Sequence, residues 1–171
     1  LEADGKGKRA DVVLSYVTRR GPWYHISWKG DEAKSGGLAL NIGVHFFDLL
    51  LWLFGEAERS EVHIRESDRL AGFIQLKNAD VRWFLSTSPH DLPAAASDKG
   101  NSAFRSLQVD GAELDLSAGF SDLHTKVYQR VLAGEGYGVT EARPSVELVH
   151  KIRHSDVHPG GENSHPLLSS L

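Results

Sequence analysis

From Ala10 to Arg19 the β-branched and aromatic residues Val12, Val13, Tyr16, Val17 and Thr18 predict a strand, and Gly21-Pro22 ends it. Residues 23–35 mix aromatics, charges and glycine without a period, which predicts an ordered loop that does something other than fill a core. Leu38 to Phe54 is long, apolar and free of period-2 alternation, so it predicts a helix, with Gly55 as its stop. Three strand-like segments follow, Ser60 to Glu66, Leu70 to Leu76 and Val81 to Ser86, and Asn78-Ala79-Asp80 supplies the turn that pairs the last two. Residues 87–101 form a polar loop with two prolines. Phe104 to Val109 and Ala112 to Leu116 flank Asp110-Gly111, the strongest short hairpin signal in the chain. Two more helices are expected, Asp122 to Ala133 and Pro144 to His154, the second with proline in its first turn and Glu147 and Lys151 at i, i+4.

Strands joined by short turns, with helices before and after them, define an α+β domain. Its expected form is an open, largely antiparallel sheet of about six strands with helices on one face. The second face, if apolar, needs a cover of its own, and a subunit interface is the economical one, giving a homo-oligomer. The organisation expected is a linker or frayed end at 1–9, a domain at 10–158 and an extended C-terminal tail at 159–171.

The predicted helix at 38–54 contains an anomaly. Asn41, His45, Asp48 and Trp52 recur at i, i+4, i+7 and i+11 and share one edge of an otherwise apolar helix. Burying each polar group without a partner would cost on the order of 1–3 kcal/mol. Two readings remain open: a solvated or internally satisfied edge, or a site in which His45 is a general acid/base, Asn41 binds the same ligand and Asp48 orients the imidazole.

Composition narrows the classes. The 171 residues are 40% apolar, enough for one core, and 19 basic against 23 acidic residues give a net charge of -4 with no long-range attraction for polyanions, so nucleic acid is not an expected partner. Without cysteine there is no disulfide framework or thiolate zinc site. The run Phe46 to Phe54 is interrupted by Asp48 and falls short of the roughly 20 residues of a membrane span, so no membrane association is expected. The chain starts at Leu1 and contains no methionine, which reads as a piece of a longer polypeptide.

The pattern G-G-x-x-x-N-I-G-V-H-x-x-D, Gly36 to Asp48, followed by W-L-F-G at Trp52 to Gly55, resembles the start of the second domain of the Gfo/Idh/MocA oxidoreductases. The resemblance covers essentially the whole chain. It implies a glyceraldehyde-3-phosphate dehydrogenase-like C-terminal domain, with an N-terminal Rossmann domain that binds NAD(P) and a Glu-Lys-Pro lysine, neither of which this sequence contains. Residues 18–37, LHTKVYQRVLAGEGYG and EARPSVELVHKIR look most like the subgroup acting on UDP-linked N-acetylglucosaminuronates in bacterial surface-polysaccharide (O-antigen) synthesis.

By this resemblance the chain is the substrate half of a cytoplasmic NAD-dependent dehydrogenase, inactive alone, oxidising the 3-hydroxyl of a UDP-sugar. His45 takes the hydroxyl proton, and Asn41 replaces an aspartate common in the family. A dehydrogenase for another sugar or for inositol, or a noncatalytic oligomerisation or ligand-binding module, uses the same fold. Arg19, Arg20, Lys29 and Lys34 are candidates for a carboxylate or diphosphate, and Tyr24 and Trp28 for stacking, against the plain reading of a solvated charged loop. Arg143 reads better as a helix-start ion-pair partner, and His124 and Tyr128 as amphipathic packing. Gly134 to Gly138 lies between two helices and reads as a turn. His150, His154 and His158 recur every four residues, but no carboxylate completes a metal motif, so no metal is expected.

Overall fold

The computed structural model describes residues 7–98, 100–114 and 122–170. Strands β1 (Ala10–Thr18), β2 (Ala57–Arg65), β3 (Arg69–Leu76), β4 (Ala79–Ser86), β5 (Ala103–Val109) and β6 (Ala112–Glu113) form one six-stranded sheet in the order β2-β3-β4-β1-β5-β6. The β1/β4 pair is parallel and all other neighbours are antiparallel. The single parallel pair follows from connectivity: the chain leaves β1 through a helix, meanders through β2 and β3, and returns along β1 in the same direction.

Two turns test the local chemistry. Asp110 and Gly111 both have positive φ, 49° and 80°, as a tight hairpin demands. The β3–β4 turn, in contrast, is Lys77–Asn78 rather than residues 78–80, because Ala79 and Asp80 are already paired with Ala10 and Asp11 across the sheet. The end of the predicted strand at 112–116 lies outside the described residues.

Helices α3 (Val44–Phe54) and α6 (Val139–His154) cover one face, packing Phe47, Leu50, Leu148, Val149 and Ile152 against Val12, Leu14, Val81, Trp83 and Leu107. Phe47 meets Trp83 edge to face at 5.2 Å. Segment 32–54 is long and apolar enough to cross a membrane, but its apolar side is the one that builds this core. Helix α6 begins five residues before Pro144, so the proline sits inside it rather than in its first turn. The early turn is held by Gly138 N–H, which donates to Glu141 Oε2 at 2.8 Å, and it is exposed until Ser145. Helix α5 (Leu123–Leu132) has no buried residue.

The C-terminal segment is ordered by contact with the sheet. Val157 bridges to Val62 at the β2 edge, and His158 N–H donates to Val62 O at 2.9 Å. The chain then crosses to the second face through short 3-10 turns at Gly161–Asn163 and Pro166–Ser170, where Leu167 and Leu168 pack on Val17, Ala71 and Phe84. His165, 1% exposed, stacks on Phe84 with ring centroids 5.6 Å apart. Part of the face expected to need a partner subunit is therefore covered by the chain's own tail. The remainder carries paired polar groups, Arg82 with Asp11 at 2.6 Å and Gln75 with Asp80 at 3.3 Å.

Candidate functional site

The chain from 37 to 54 is helical throughout, but Ala39–Gly43 is a π-helical turn running into α3. Nothing in the apolar pattern signals it. A π turn adds a residue to one coil of the helix and commonly marks a functional position. It is possible here because Gly43 brings the helix close to the sheet. A Cβ at Gly43 would lie 2.7 Å from the Phe47 ring and 3.1 Å from Leu85, so a side chain would push the turn outward. Entry is set by Gly36 and Gly37, both at positive φ (78° and 65°), where residues with side chains are strained.

The polar stripe follows from this geometry. Ile42, Phe47, Leu50 and Phe54 face the core, while Asn41 is half-buried and His45 and Asp48 are exposed, with Trp52 80% exposed beyond them. The apolar helix tolerates these polar residues because they turn away from the sheet, so no burial cost arises. No hydrogen bond joins Asp48 to His45 among the described contacts, so the orienting role expected of that carboxylate has no bond behind it here. Asn41 Nδ2 donates to the Lys29 carbonyl in a long 3.4 Å contact, tying the helix to the preceding segment.

That segment, expected as an irregular loop, is a series of three short helical turns: α1 (Pro22–Ile26), a 3-10 turn at Trp28–Gly30 and α2 (Glu32–Ser35). Side-chain caps specify them. Ser27 Oγ accepts from Lys29 N–H, and Asp31 Oδ1 accepts from Ala33 N–H at 3.0 Å. The Lys34 ammonium lies 3.2 Å from Asp31, and this contact, with the cap bonds, holds the exposed Asp31 carboxyl below its ordinary pKa.

These turns wall a cavity of about 130 Å³. Tyr24 and Lys29 line it, as do Gly36 and Gly37, and Tyr24 is only 6% exposed with the Arg20 guanidinium 5.6 Å from its ring centroid. The opposite wall holds three residues that sequence reasoning did not single out: Arg65 and Ser67 around the end of β2, and Arg153 near the end of α6. Arg65 donates to the carbonyls of Ile152 and Ser155 at 2.7 and 2.8 Å, satisfying the last turn of α6. Arg153 Nε is buried with no hydrogen-bond partner among the described residues. No local pattern announces this cavity, since Lys29, Arg65 and Arg153 come from distant parts of the chain.

The other candidates lie outside the cavity. Arg19, Trp28 and Lys34 are exposed and do not line it, although Lys29 Nζ sits 5.9 Å from the Trp28 ring centroid and so keeps that indole beside the rim. Arg143 approaches Glu147 at 3.7 Å on the exposed side of α6, as its ion-pair reading expects. His124 and Tyr128 are exposed on α5 rather than packed. His154 Nδ1 donates to the His150 carbonyl at 2.7 Å, which explains the proximity of those two rings without a metal.

The mixed sheet with helices on one face thus carries a polar helix edge and, at the first turn of that helix, a glycine-lined cavity. Residues 8–98 match the Gfo/Idh/MocA oxidoreductase family, C-terminal alpha/beta domain, and the chain belongs to that family. Among solved structures, the WlbA (WbpB) dehydrogenase from Thermus thermophilus in complex with NAD and α-ketoglutarate is 51% identical, with a TM-score of 0.88 over 95% of this chain and 53% of that one. The same enzyme in complex with NAD and UDP-GlcNAcA superposes with a TM-score of 0.87 at the same identity, again over 95% and 53% of the two chains. The WlbA dehydrogenase from Bordetella pertussis shares the fold at 17% identity, with a TM-score of 0.56 over 84% of this chain and 53% of that one. The chain thus spans about half the length of the proteins it matches.

Proposed function

We propose that this chain is the substrate-binding half of a cytoplasmic, homo-oligomeric NAD-dependent dehydrogenase. Its reaction is oxidation of the 3-hydroxyl of a UDP-linked N-acetylglucosaminuronate, in surface-polysaccharide (O-antigen) synthesis. The observation that carries the reading is 51% identity over 95% of the chain with a dehydrogenase bound to NAD and UDP-GlcNAcA, combined with the exposure of His45 on the polar edge of the helix whose first turn lines the cavity.

The roles follow from the chemistry of each group. The exposed His45 imidazole has a ring nitrogen that can accept the proton of the sugar hydroxyl as that carbon is oxidised. Asn41 can hold the hydroxyl by hydrogen bonding but cannot take up charge, so His45 alone on this helix carries the proton. Asp48, one turn on and without a bond to His45, offers a carboxylate that favours the imidazolium by its charge alone. Tyr24 in the cavity lining and the exposed Trp28 offer aromatic surface to a sugar or base, Lys29 offers a cation to an anionic group in the cavity, and Arg19 and Lys34 offer theirs outside it. NAD accepts the hydride in such a reaction. The described residues offer it no dinucleotide cradle, because the Gly134–Gly138 loop joins two helices without a preceding strand. Its binding is therefore assigned outside this chain. The part of the second sheet face left uncovered by the tail is the surface proposed for subunit contact.

The test is NADH formation by the full-length protein on UDP-GlcNAcA. His45→Ala is expected to lower turnover by about 100-fold or more while calorimetry still detects the sugar nucleotide. Unchanged turnover would remove His45 from this role, and a wild-type protein that binds the nucleotide without oxidising it would make the domain a binding module.

A further inference from the structure

Building on the dehydrogenase reading, we propose that the cavity at the start of helix 37–54 is an oxyanion receptor, with Arg153 the residue that distinguishes anionic ligands from neutral ones. Lys29, Arg65 and Arg153 converge on it, and the acids in its lining are Glu32 and Glu66. Glu66 is already engaged by Arg69 at 3.3 Å. Neither Lys29 nor Arg153 has an acidic partner among the described residues. Arg65 spends one guanidinium nitrogen on the two carbonyls that end α6, so it fixes the wall while its charge still faces the cavity.

The state of Arg153 is the telling feature. A guanidinium is always charged, and a buried N–H on it without an acceptor is costly unless an anion completes the site. Completion is available from the backbone too. Leu38 and Ala39 line the cavity at the first turn of the 37–54 helix, where amide groups have no acceptor within the helix and the dipole favours negative charge, whereas the Gly37 N–H already donates to Ser35 Oγ at 3.1 Å. Gly36 and Gly37 stand in the lining with Leu40 and Glu32 packed against the positions their side chains would take, and Ser67 contributes a hydroxyl to the same lining.

The receptor also stands at a useful distance. From Ala39 to His45 is six residues, roughly 9 Å along a helix axis, so an oxyanion seated in the cavity and a hydroxyl at His45 can belong to one sugar nucleotide. Asn41 lies between them, and its tie to the Lys29 carbonyl couples the cavity wall to the proton-accepting edge. Two oxyanions of such a ligand fit the chemistry: the uronate carboxylate and the diphosphate.

The experiment is calorimetry on the full-length protein and its Arg153→Gln and Arg153→Lys variants with UDP, UDP-GlcNAc, UDP-GlcNAcA and inorganic pyrophosphate, with melting temperatures recorded to confirm folding. Arg153→Gln is expected to weaken binding by about tenfold or more, with partial recovery in Arg153→Lys and a steady-state loss that falls on KM more than on kcat. A loss shared by UDP and both sugar nucleotides places the diphosphate in the cavity, and a loss confined to UDP-GlcNAcA places the carboxylate there. If all ligands bind a folded Arg153→Gln protein as they bind wild type, the receptor is refuted while the dehydrogenase reading stands. If wild type binds no sugar nucleotide but binds pyrophosphate in an Arg153-dependent way, the receptor stands and the proposed substrate falls. No binding of any of the four overturns both.

Discussion

Toward α3 and α6 the sheet presents Val12, Leu14, Ile74, Val81, Trp83 and Leu107, each at most 1% exposed, whereas the face under the tail sets Ser15, Arg69, Arg82, Ser86 and Ser106 among its apolar residues. The first face is held by non-directional apolar burial, which is indifferent to protonation. The second depends on particular bonds. Asp91 accepts from Arg69 Nε and Ser86 at 2.7 and 2.6 Å, and Ser106 donates to Glu113 at 2.8 Å. Burial opposes ionisation of Asp91, yet the bonds from Arg69 and Ser86 outweigh it and hold its pKa below the ordinary value, and Arg69 is raised in turn by the same partner. The lesson is that one sheet can be covered by two mechanisms with different sensitivities, and that only the polar one responds to acid.

The largest effect should come from the apolar face. Trp83→Ala, which empties the site against Phe47, is expected to cost about 3–5 kcal/mol, read as a lower denaturant midpoint at unchanged slope. A loss under about 1 kcal/mol would mean that this face is not the main support.

Next comes acid, acting through His165. Its Nδ1 accepts from Leu167 N–H at 3.2 Å, so the neutral ring carries its proton on Nε2 and donates to Ser15 Oγ at 3.1 Å. Burial, reinforced by the positive charge of Arg82, pushes its pKa down to about 4 from 6.5. The unfolded chain binds this proton more readily, so the stability held above pH 6.5 should fall by about 3 kcal/mol as pH drops from there to about 4. His165→Gln is expected to flatten that window in urea titrations at a series of pH values. An equally steep acid loss in the variant would assign it to other groups.

The smallest of the three is Asp91→Asn. Because Arg69 keeps some exposure, removing the charge is expected to cost about 1–3 kcal/mol rather than the full penalty of a buried pair. Since the folded pKa of Asp91 is depressed, its contribution is present above the ordinary 3.8 and is lost as pH falls through the lowered value, beneath the His165 window. Wild-type acid unfolding should therefore have a second stage that Asp91→Asn lacks, and a single stage in both proteins would break the distinction between the two groups.

Much of the fold was legible. β3, β4 and β5 lie within a residue or two of their expected spans because each is a short β-branched or aromatic run bounded by polar turn residues, and Asp110-Gly111 needs positive φ whatever surrounds it. Helix α6 was expected to begin at Pro144, where proline suits a first turn, but the Gly138–Glu141 bond starts it five residues earlier. At the candidate site the sequence picked out Asn41, His45, Tyr24 and Lys29. It passed over Arg65 and Arg153, whose meaning depends on lying opposite those residues.

The sequence by itself determined most of the strands, the Asp110-Gly111 turn and the polar edge of the helix, because these depend on residues a few positions apart. Tertiary structure alone decided the π turn, where Gly43 lies against Leu85, and the cavity, which draws cations from three separated segments around one space. It also decided the cover of the second face, where a tail expected only to be extended buries His165 against Phe84. In each case the deciding contact joins residues distant in sequence, and no local pattern encodes that proximity.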